Sequence, residues 1–438
     1  MSIFCETIFW DSVPELEKTP IFRLMHVDYP LWAPHPIVVG FPVVVQGAIQ
    51  KNCCAYTFCI PLHICGSAFP YLWMNCNGTL MEKQFGFGII GAGMIAHVHA
   101  RAIREIPQSR LVGVFSTTPQ KREAFAGKEN CKAFESLDAM LQDPEIDIVC
   151  ICTPSGAHQD PTLACIAAGK HCLVEKPLEV TLEKCDRIIN AAEQHGVKVG
   201  VIFPSRFYDQ AMHLKKAIAE ARFGDIVLGD AYVKWYRSEA YYQSNAWRGT
   251  WELDGGGALM NQGIHSVDLL QWYMGPVKAV QAFRTNRRHK TIAVEDTVVA
   301  VVEFANGALG NMTCSTAIFP GELKRIEING TAGTAVLQES NLVKWELEVM
   351  GDEDIALQKR MQENGLSHGG GASNPADISF KGHQLQIEDM LQAIETNGTP
   401  LVDAVEGRKA VEIVLAIYQS AATGKKVGLP LDSRNDLS

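Results

Sequence analysis

From residue 85 to residue 203 the chain repeats one pattern: a short apolar run that reads as a strand, then a stretch with helical spacing. The runs are "FGFGII" (85–90), "RLVGVFS" (110–116), "DIVCICT" (147–153), "HCLVEKP" (171–177) and "VKVGVIF" (197–203), with helical patterns at 94–105, 119–127, 157–168 and 182–195. Strands this continuously apolar are buried on both faces, and helices between them supply the cover. The pattern predicts a doubly wound parallel sheet. From about residue 225 longer, alternating strands take over at 225–237, 277–287, 296–318, 323–337 and 342–349, with Asn-Gly turns at Asn306 and Asn329. That alternation predicts a mostly antiparallel open sheet. A helix near 255 lies between its first strands, a polar loop at 363–377 follows, and two amphipathic helices at about 382–396 and 404–422 close the chain.

Composition breaks near Met81. Six of the thirteen cysteines (Cys5, Cys53, Cys54, Cys59, Cys65, Cys76) precede it, among many aromatics and prolines, without the later alternation. Its apolar stretches are short or broken by Pro42, Pro61 and Pro70, and acidic residues precede the first lysine, so neither a membrane span nor a signal peptide fits well. Residues 1–80 are expected to be an extension outside the fold, with Met81 as the natural start; a weak anchor or a cysteine-rich appendage is the alternative. Residues 81–204 form the first expected domain and 205–438 the second. A net charge of −10 with no basic run excludes non-specific nucleic-acid binding. Cys131, Cys150, Cys152, Cys165, Cys172, Cys185 and Cys314 fall mostly in apolar patterns without zinc spacing, so burial in a reducing, cytoplasmic setting is expected.

"GIIGAGMIAHVHA" sets Gly91-x-Gly93-x-x-Ala96 between the first strand and its helix. Gly91 permits the tight turn, Gly93 admits a pyrophosphate close to the backbone, and the helix start at Met94 and Ile95 offers amides and a positive dipole end. This is a Rossmann-type dinucleotide site. The second strand ends in Ser116-Thr117 where an acid would take the adenosine ribose, and Lys121 follows, so NAD and NADP both stay open. Thr153, Pro154 and His158 of "CTPSGAH", with Glu175 and Lys176 of "EKP", stand at the carboxyl ends of the next strands, the edge where such sheets bind ligands. In "GGGALMNQGIHSVDLLQW" (255–272), Asn261 and His265 are four apart, on one face of an α-helix. Read alone, His265 would be a buried helix histidine bonded to Asp268.

The ordered set "GIIGAGMIA", "CTPSGAH", "EKP" and "GGGALMNQGIHSVDLLQW" resembles the Gfo/Idh/MocA (glucose–fructose oxidoreductase, inositol dehydrogenase) family over about residues 84–430. The resemblance implies that Lys176 and His265 flank the nicotinamide and the substrate carbon. It also implies an NAD(P)-dependent oxidoreductase acting on a secondary hydroxyl or carbonyl of a sugar, sugar nucleotide or cyclic polyol, and a homo-oligomer, dimer or tetramer. Asn261 stands where many polyol dehydrogenases have aspartate, and an amide is no base; "LMNQGIH" is similar to members acting on sugar nucleotides or amino-sugar derivatives. Lys176 would hold the substrate oxygen and His265 take its proton, with Asn261 orienting the imidazole or binding a second hydroxyl. Arg206, Trp235, Arg237, Trp247 and Arg248 are candidate substrate contacts by their charge and stacking faces. His213, His289, His368 and His383 show no metal spacing, and no metal is expected. Two other readings are an NAD-dependent glycosidase of the same fold and a non-catalytic dinucleotide-binding sensor. No membrane association is expected.

Overall fold

The computed structural model describes residues 84–363 and 379–431, and in the first 83 residues only short strands such as Phe58–Ile60 and Leu72–Met74. Apart from those strands, the expected extension at 1–80 lies outside the described residues, as do His368 and nearly all of the polar loop. The chain divides into a unit Met1–Gln84 and a unit Phe85–Ser438, and the second is the subject below.

Its first sheet contains β1 (Phe85–Ile90), β2 (Ser109–Phe115), β3 (Lys132–Ala133), β4 (Ile148–Ile151), β5 (His171–Val174) and β6 (Val199–Val201). All pairs are parallel and the order is β3-β2-β1-β4-β5-β6. Helices α1 (Met94–Arg104), α2 (Pro119–Glu129), α3 (Leu137–Leu141), α4 (Gln159–Ala167) and α5 (Leu182–His195) make the crossovers. The register pairs Ile90 with Ile151 and Ile151 with Val174. The chain therefore leaves three neighbouring strands at one level, which brings Gly91, Thr153 and Glu175 to a common edge. Local chemistry fixes where the helices begin and end. Thr181 caps α5 by accepting from the Lys184 amide, and Gly196 at φ 64° ends it in the left-handed region.

After α6 (Asp209–Ala219) comes a second sheet of β7 (Ile226–Lys234), β8 (Val277–Thr285), β9 (Thr297–Phe304), β10 (Leu309–Ser315), β11 (Arg325–Gly330), β12 (Gly333–Gln338), β13 (Asn341–Leu347) and β14 (Val427–Gly428). Its order is β13-β12-β11-β7-β10-β9-β8-β14, antiparallel except for the parallel pair β7–β10. A short α7 (Glu239–Gln243) and a π-helical turn (Ala258–Gly263) running into α8 (Ile264–Met274) are inserted after β7. α9 (Asp352–Glu363), α10 (Lys381–Glu395) and α11 (Ala404–Thr423) follow β13.

α8 and α11 cover one face of this sheet. The other face carries exposed apolar side chains: Phe283 (77% exposed) lies opposite Val299, and Val301 and Leu309 extend the patch. The sequence boundary at 204 separates the two sheets but not the helices. Ile387, Met390 and Leu391 of α10 pack with Ala100 and Ile103 of α1, and Val201 donates its amide to the Val402 carbonyl. One apolar core runs from Val149 and Val201 through Val411 and Ile417 to Val298 and Ile328. The seven cysteines from Cys131 to Cys314 are free, six of them buried and Cys131 partly so. Among the described residues no helix is long and apolar enough to cross a membrane.

Candidate active site

The dinucleotide end is built as a cradle. Gly91 has φ 103°, and a Cβ there would sit 2.5 Å from the Cys152 carbonyl oxygen, so only glycine keeps β1 and β4 this close at their ends. Gly93 is the N-cap of α1, with open space around its Cα, no side-chain cap and no acid in the first turn. Met94 is exposed and Ile95 partly so. The Ala96 amide turns back to the Gly93 carbonyl at 3.2 Å, and no side chain caps the amides before it, an arrangement that suits a pyrophosphate. Ser116 and Thr117 directly follow β2, no carboxylate stands in either position, and Lys121 is exposed on α2. These residues fit a dinucleotide.

Two of the expected cofactor contacts turn inward instead. His158 is buried, with Nδ1 2.8 Å from the Pro177 carbonyl and Nε2 3.0 Å from that of Thr153, so it ties the two loops together. Glu175 is also buried. Its Oε1 lies 2.8 Å from His99 Nε2 and 3.5 Å from His383 Nε2. Burial alone would raise the Glu175 pKa, but hydrogen bonds and charge from His383 and His99 hold it well below the usual carboxylate range. His99, Glu175 and His383 are the one cluster of metal-ligand type among the described residues, with ligand atoms within 4.8 Å of one another. The Nδ1 atoms of both histidines are buried without partners, whereas a metal-bound imidazole is normally oriented through its other nitrogen. The cluster is a buried hydrogen-bonded group beside Lys176, whose amide donates to Glu175 Oε2 at 3.2 Å.

Lys176 follows β5 and donates from Nζ to the Asn261 carbonyl at 2.7 Å, across 85 residues of sequence. Burial lowers its pKa; Glu175 and Asp254 oppose this, while Arg248 and Arg237 add to it. His265 stands in the first turn of α8, edge-on to Phe203 at 5.7 Å between ring centroids. Burial first, then the Lys176 and Lys324 charges, push its pKa well below the ordinary imidazole range. It is therefore neutral, the form that accepts a proton. Its Nδ1 has no partner, and Asp268 is engaged elsewhere.

The helix expected to stack Asn261 over His265 is a π-turn through Gly263, so the i, i+4 relation of an α-helix does not hold there. Asn261 turns its Nδ2 to Asp254 Oδ1 at 2.5 Å and accepts at Oδ1 from Gln262 at 3.0 Å. Gln262 also donates to the Tyr241 hydroxyl at 3.0 Å, which Arg248 donates to as well. The Arg248 guanidinium lies 4.1 Å from the Tyr241 ring centroid and 4.8 Å from that of Trp247, and Arg237 lies 5.4 Å from Tyr241. Asp254, Tyr241 and Gln262 were not singled out in the sequence. "DGGG" carries the only hint, an acid directly before the glycines. Trp235 is buried beneath Arg237 at 5.0 Å.

Arg206 is not part of this group. It is 1% exposed and makes a two-pronged pair with Asp268, Nη2–Oδ1 at 2.6 Å and Nε–Oδ2 at 2.9 Å, while Nη1 meets Glu406 at 2.9 Å. An arginine with all three donor nitrogens so engaged is a core ion pair and not a substrate contact.

Residues 85–203 match the family described as GFO_IDH_MocA, oxidoreductase family, NAD-binding Rossmann fold, and residues 211–336 match the GFO/IDH/MocA C-terminal domain. Among solved structures, the WlbA dehydrogenase from Bordetella pertussis, in complex with NADH and UDP-GlcNAcA, is 30% identical with a TM-score of 0.73, covering 81% of this chain and 100% of that one. D-glucoside 3-dehydrogenase of Escherichia coli (strain K12) is 27% identical over 81% of this chain and 100% of its own length. 1,5-Anhydro-D-fructose reductase of Ensifer adhaerens is 27% identical over 77% of this chain and 97% of its own. With the cradle at Gly91, the lysine at the sheet edge and the neutral imidazole that feels its charge, these matches make the chain a member of the Gfo/Idh/MocA family and an NAD(P)-dependent oxidoreductase.

Proposed function

We propose that this protein oxidises or reduces a secondary hydroxyl or carbonyl on an anionic sugar, with a sugar nucleotide carrying a carboxylate as the leading candidate. The observation that carries the substrate choice is the convergence of Arg237 and Arg248 on Tyr241, beside Lys176, with Asp254 the nearby acid whose charge Lys176 and Arg248 both feel. The UDP-GlcNAcA bound by the Bordetella pertussis relative supports it. Guanidinium groups partnered by an aromatic hydroxyl are suited to a carboxylate or phosphate.

Bound dinucleotide supplies the hydride acceptor or donor. In the oxidation direction Lys176 donates a hydrogen bond to the substrate oxygen, steadying negative charge as it develops. His265 takes the hydroxyl proton at a ring nitrogen, and the carbonyl product leaves the imidazole protonated until solvent restores it. Such general-base help is typically worth roughly 10²- to 10⁴-fold.

A spectroscopic panel tests this. Purified protein with NAD or NADP is offered UDP-N-acetylglucosaminuronic acid, UDP-N-acetylglucosamine, glucose, myo-inositol and a nitrophenyl glycoside. Lasting dihydronicotinamide absorbance with the uronate, and far less with its neutral counterpart, is the expected result. Both cofactors are expected to work, because neither Ser116 nor Thr117 would repel a 2′-phosphate. Nitrophenol release without lasting reduction would point instead to the glycosidase reading, and bound dinucleotide with no turnover of any sugar to the sensor.

The apolar face of the second sheet supports assembly with a second copy of the chain, since Phe283, Val299, Val301 and Leu309 form a contiguous exposed patch. Phe283→Glu is expected to lower the molar mass seen by light scattering relative to the native protein. A native protein that is already monomeric would end that reading.

A further inference from the structure

The catalytic helix begins in an unusual way: none of its first amides is capped by its own segment. The Gly257 amide donates to Glu295 Oε2 at 2.9 Å and the Ala258 amide to the Glu295 backbone carbonyl at 3.1 Å. Leu259 donates to Glu295 Oε1 at 3.0 Å and Met260 to the Tyr418 hydroxyl at 3.2 Å. Tyr418 in turn donates its hydroxyl to Glu295 Oε1 at 2.9 Å. With Asn261 the helix begins to satisfy itself, its amide reaching the Gly257 carbonyl at 3.0 Å. Four consecutive donors that a helix N-terminus leaves unpaired are thus met by one carboxylate residue and one phenol. They come from the segment just before β9 and from α11, some 36 to 161 residues away in sequence.

The approach is so close that only glycine fits. A Cβ on Gly256, which has φ 152°, would lie 2.2 Å from the Tyr418 hydroxyl oxygen, and one on Gly257 would lie 1.8 Å from the Glu295 carbonyl oxygen. The Gly256-Gly257 pair is therefore the counterpart of a clamp. What the clamp holds is the π-turn whose Asn261 carbonyl receives the Lys176 ammonium, and whose continuation carries His265 in the next turn. Burial raises the Glu295 pKa to about 7, so its carboxylate adds an electrostatic hold at the positive end of that helix as pH rises through neutrality, beside the four hydrogen bonds. Tyr418 and Glu295 are both buried, so water offers the amides little replacement.

We infer that Glu295 and Tyr418 are positioning residues for the reaction. Together they fix the axial position of the π-turn, and through it the distance between the Lys176 ammonium, the His265 imidazole and the substrate carbon. Neither touches the reacting atoms. The catalytic half of this inference rests on the oxidoreductase reading above; the clamp itself does not.

The test uses the full-length protein and two variants, Tyr418→Phe, which removes one oxygen, and Glu295→Gln, which keeps the shape but puts a donor where an acceptor is needed. Hydrogen exchange followed by mass spectrometry is expected to speed up by about tenfold or more in peptides covering 257–261, with the parallel sheet unchanged. With UDP-N-acetylglucosaminuronic acid as probe, kcat is expected to fall by about 10- to 100-fold while KM and NADH affinity hold, and the deuterium isotope effect on hydride transfer should rise. A purely structural role would lower the melting temperature without this split. Unchanged exchange at 257–261 in Tyr418→Phe would overturn the clamp whether or not any sugar is turned over. Faster exchange with an unchanged kcat would overturn the positioning role. If Glu295→Gln does not fold, Tyr418→Phe decides alone. Should the native protein turn over no probe, the oxidoreductase assignment of this substrate fails, and the exchange data still judge the clamp.

Discussion

Lys176→Met is expected to lower kcat by about 10³-fold with dinucleotide affinity little changed. Methionine keeps the length and apolar stem of the lysine but cannot donate to a substrate oxygen or to the Asn261 carbonyl, which the Nζ now meets at 2.7 Å. The pyrophosphate cradle at Gly91 and Gly93 lies at the end of a different strand, so binding and chemistry should separate. A pH profile adds a second signature. Burial lowers the Lys176 pKa, so the ammonium is lost as pH rises through a value below that of ordinary lysine, and oxidation should decline on that alkaline side. The variant should lack that limb. At the acid end the sign is opposite: His265, held well below the ordinary imidazole range, loses its basicity only once pH falls beneath neutrality by a wide margin. A variant with native kcat, or one that no longer holds NADH, would count against the assignment of Lys176.

The second large effect concerns stability. Arg206→Met should destabilise the protein by about 3–5 kcal/mol, because it leaves the buried Asp268 carboxylate without its guanidinium partner. For a chain of this size that corresponds to a melting temperature lower by roughly 5–15 °C. Replacing both members, Arg206→Met with Asp268→Leu, should recover much of the loss, since an apolar pair avoids the uncompensated charge. Glu406 remains partly exposed and has Lys409 beside it, so it tolerates the change. Scanning calorimetry of the two variants reads this directly. A single variant as stable as the native protein would show that the pair contributes nothing.

Arg206 also shows why part of the site was not legible in the sequence. "FPSRF" next to the sheet edge looks the same whether its arginine faces substrate or core. The choice is made by Asp268 and Glu406, which are 62 and 200 residues away. Local signals fared well where the chemistry is local. Apolar runs at 85–90 and 147–153 became buried parallel strands, Gly91 took a positive φ at its tight turn, and the Lys176 charge reaches His265. The strand at β14 escaped because Val427–Gly428 is too short to show a period. The π-turn escaped because its spacing differs from an α-helix only by one inserted residue, and its stabilising partners, Glu295 and Tyr418, lie on distant elements. His99, His383 and Asp254 have the same origin: each acquires meaning only from a group that folding delivers.

The return of the chain's last helices onto its first sheet has a consequence for synthesis. Ile387, Met390 and Leu391 cover α1, Gln386 bonds the Val201 carbonyl and the Phe203 amide, and Val402 accepts from Val201. A ribosome that has translated the whole nucleotide-binding sequence has therefore not yet supplied its lid of apolar side chains. Domains emerging from synthesis ordinarily close in order from the N-terminus. Here the parallel sheet keeps one flank open until residues 386–402 have also been made. In this protein the beginning of the fold is finished by its end.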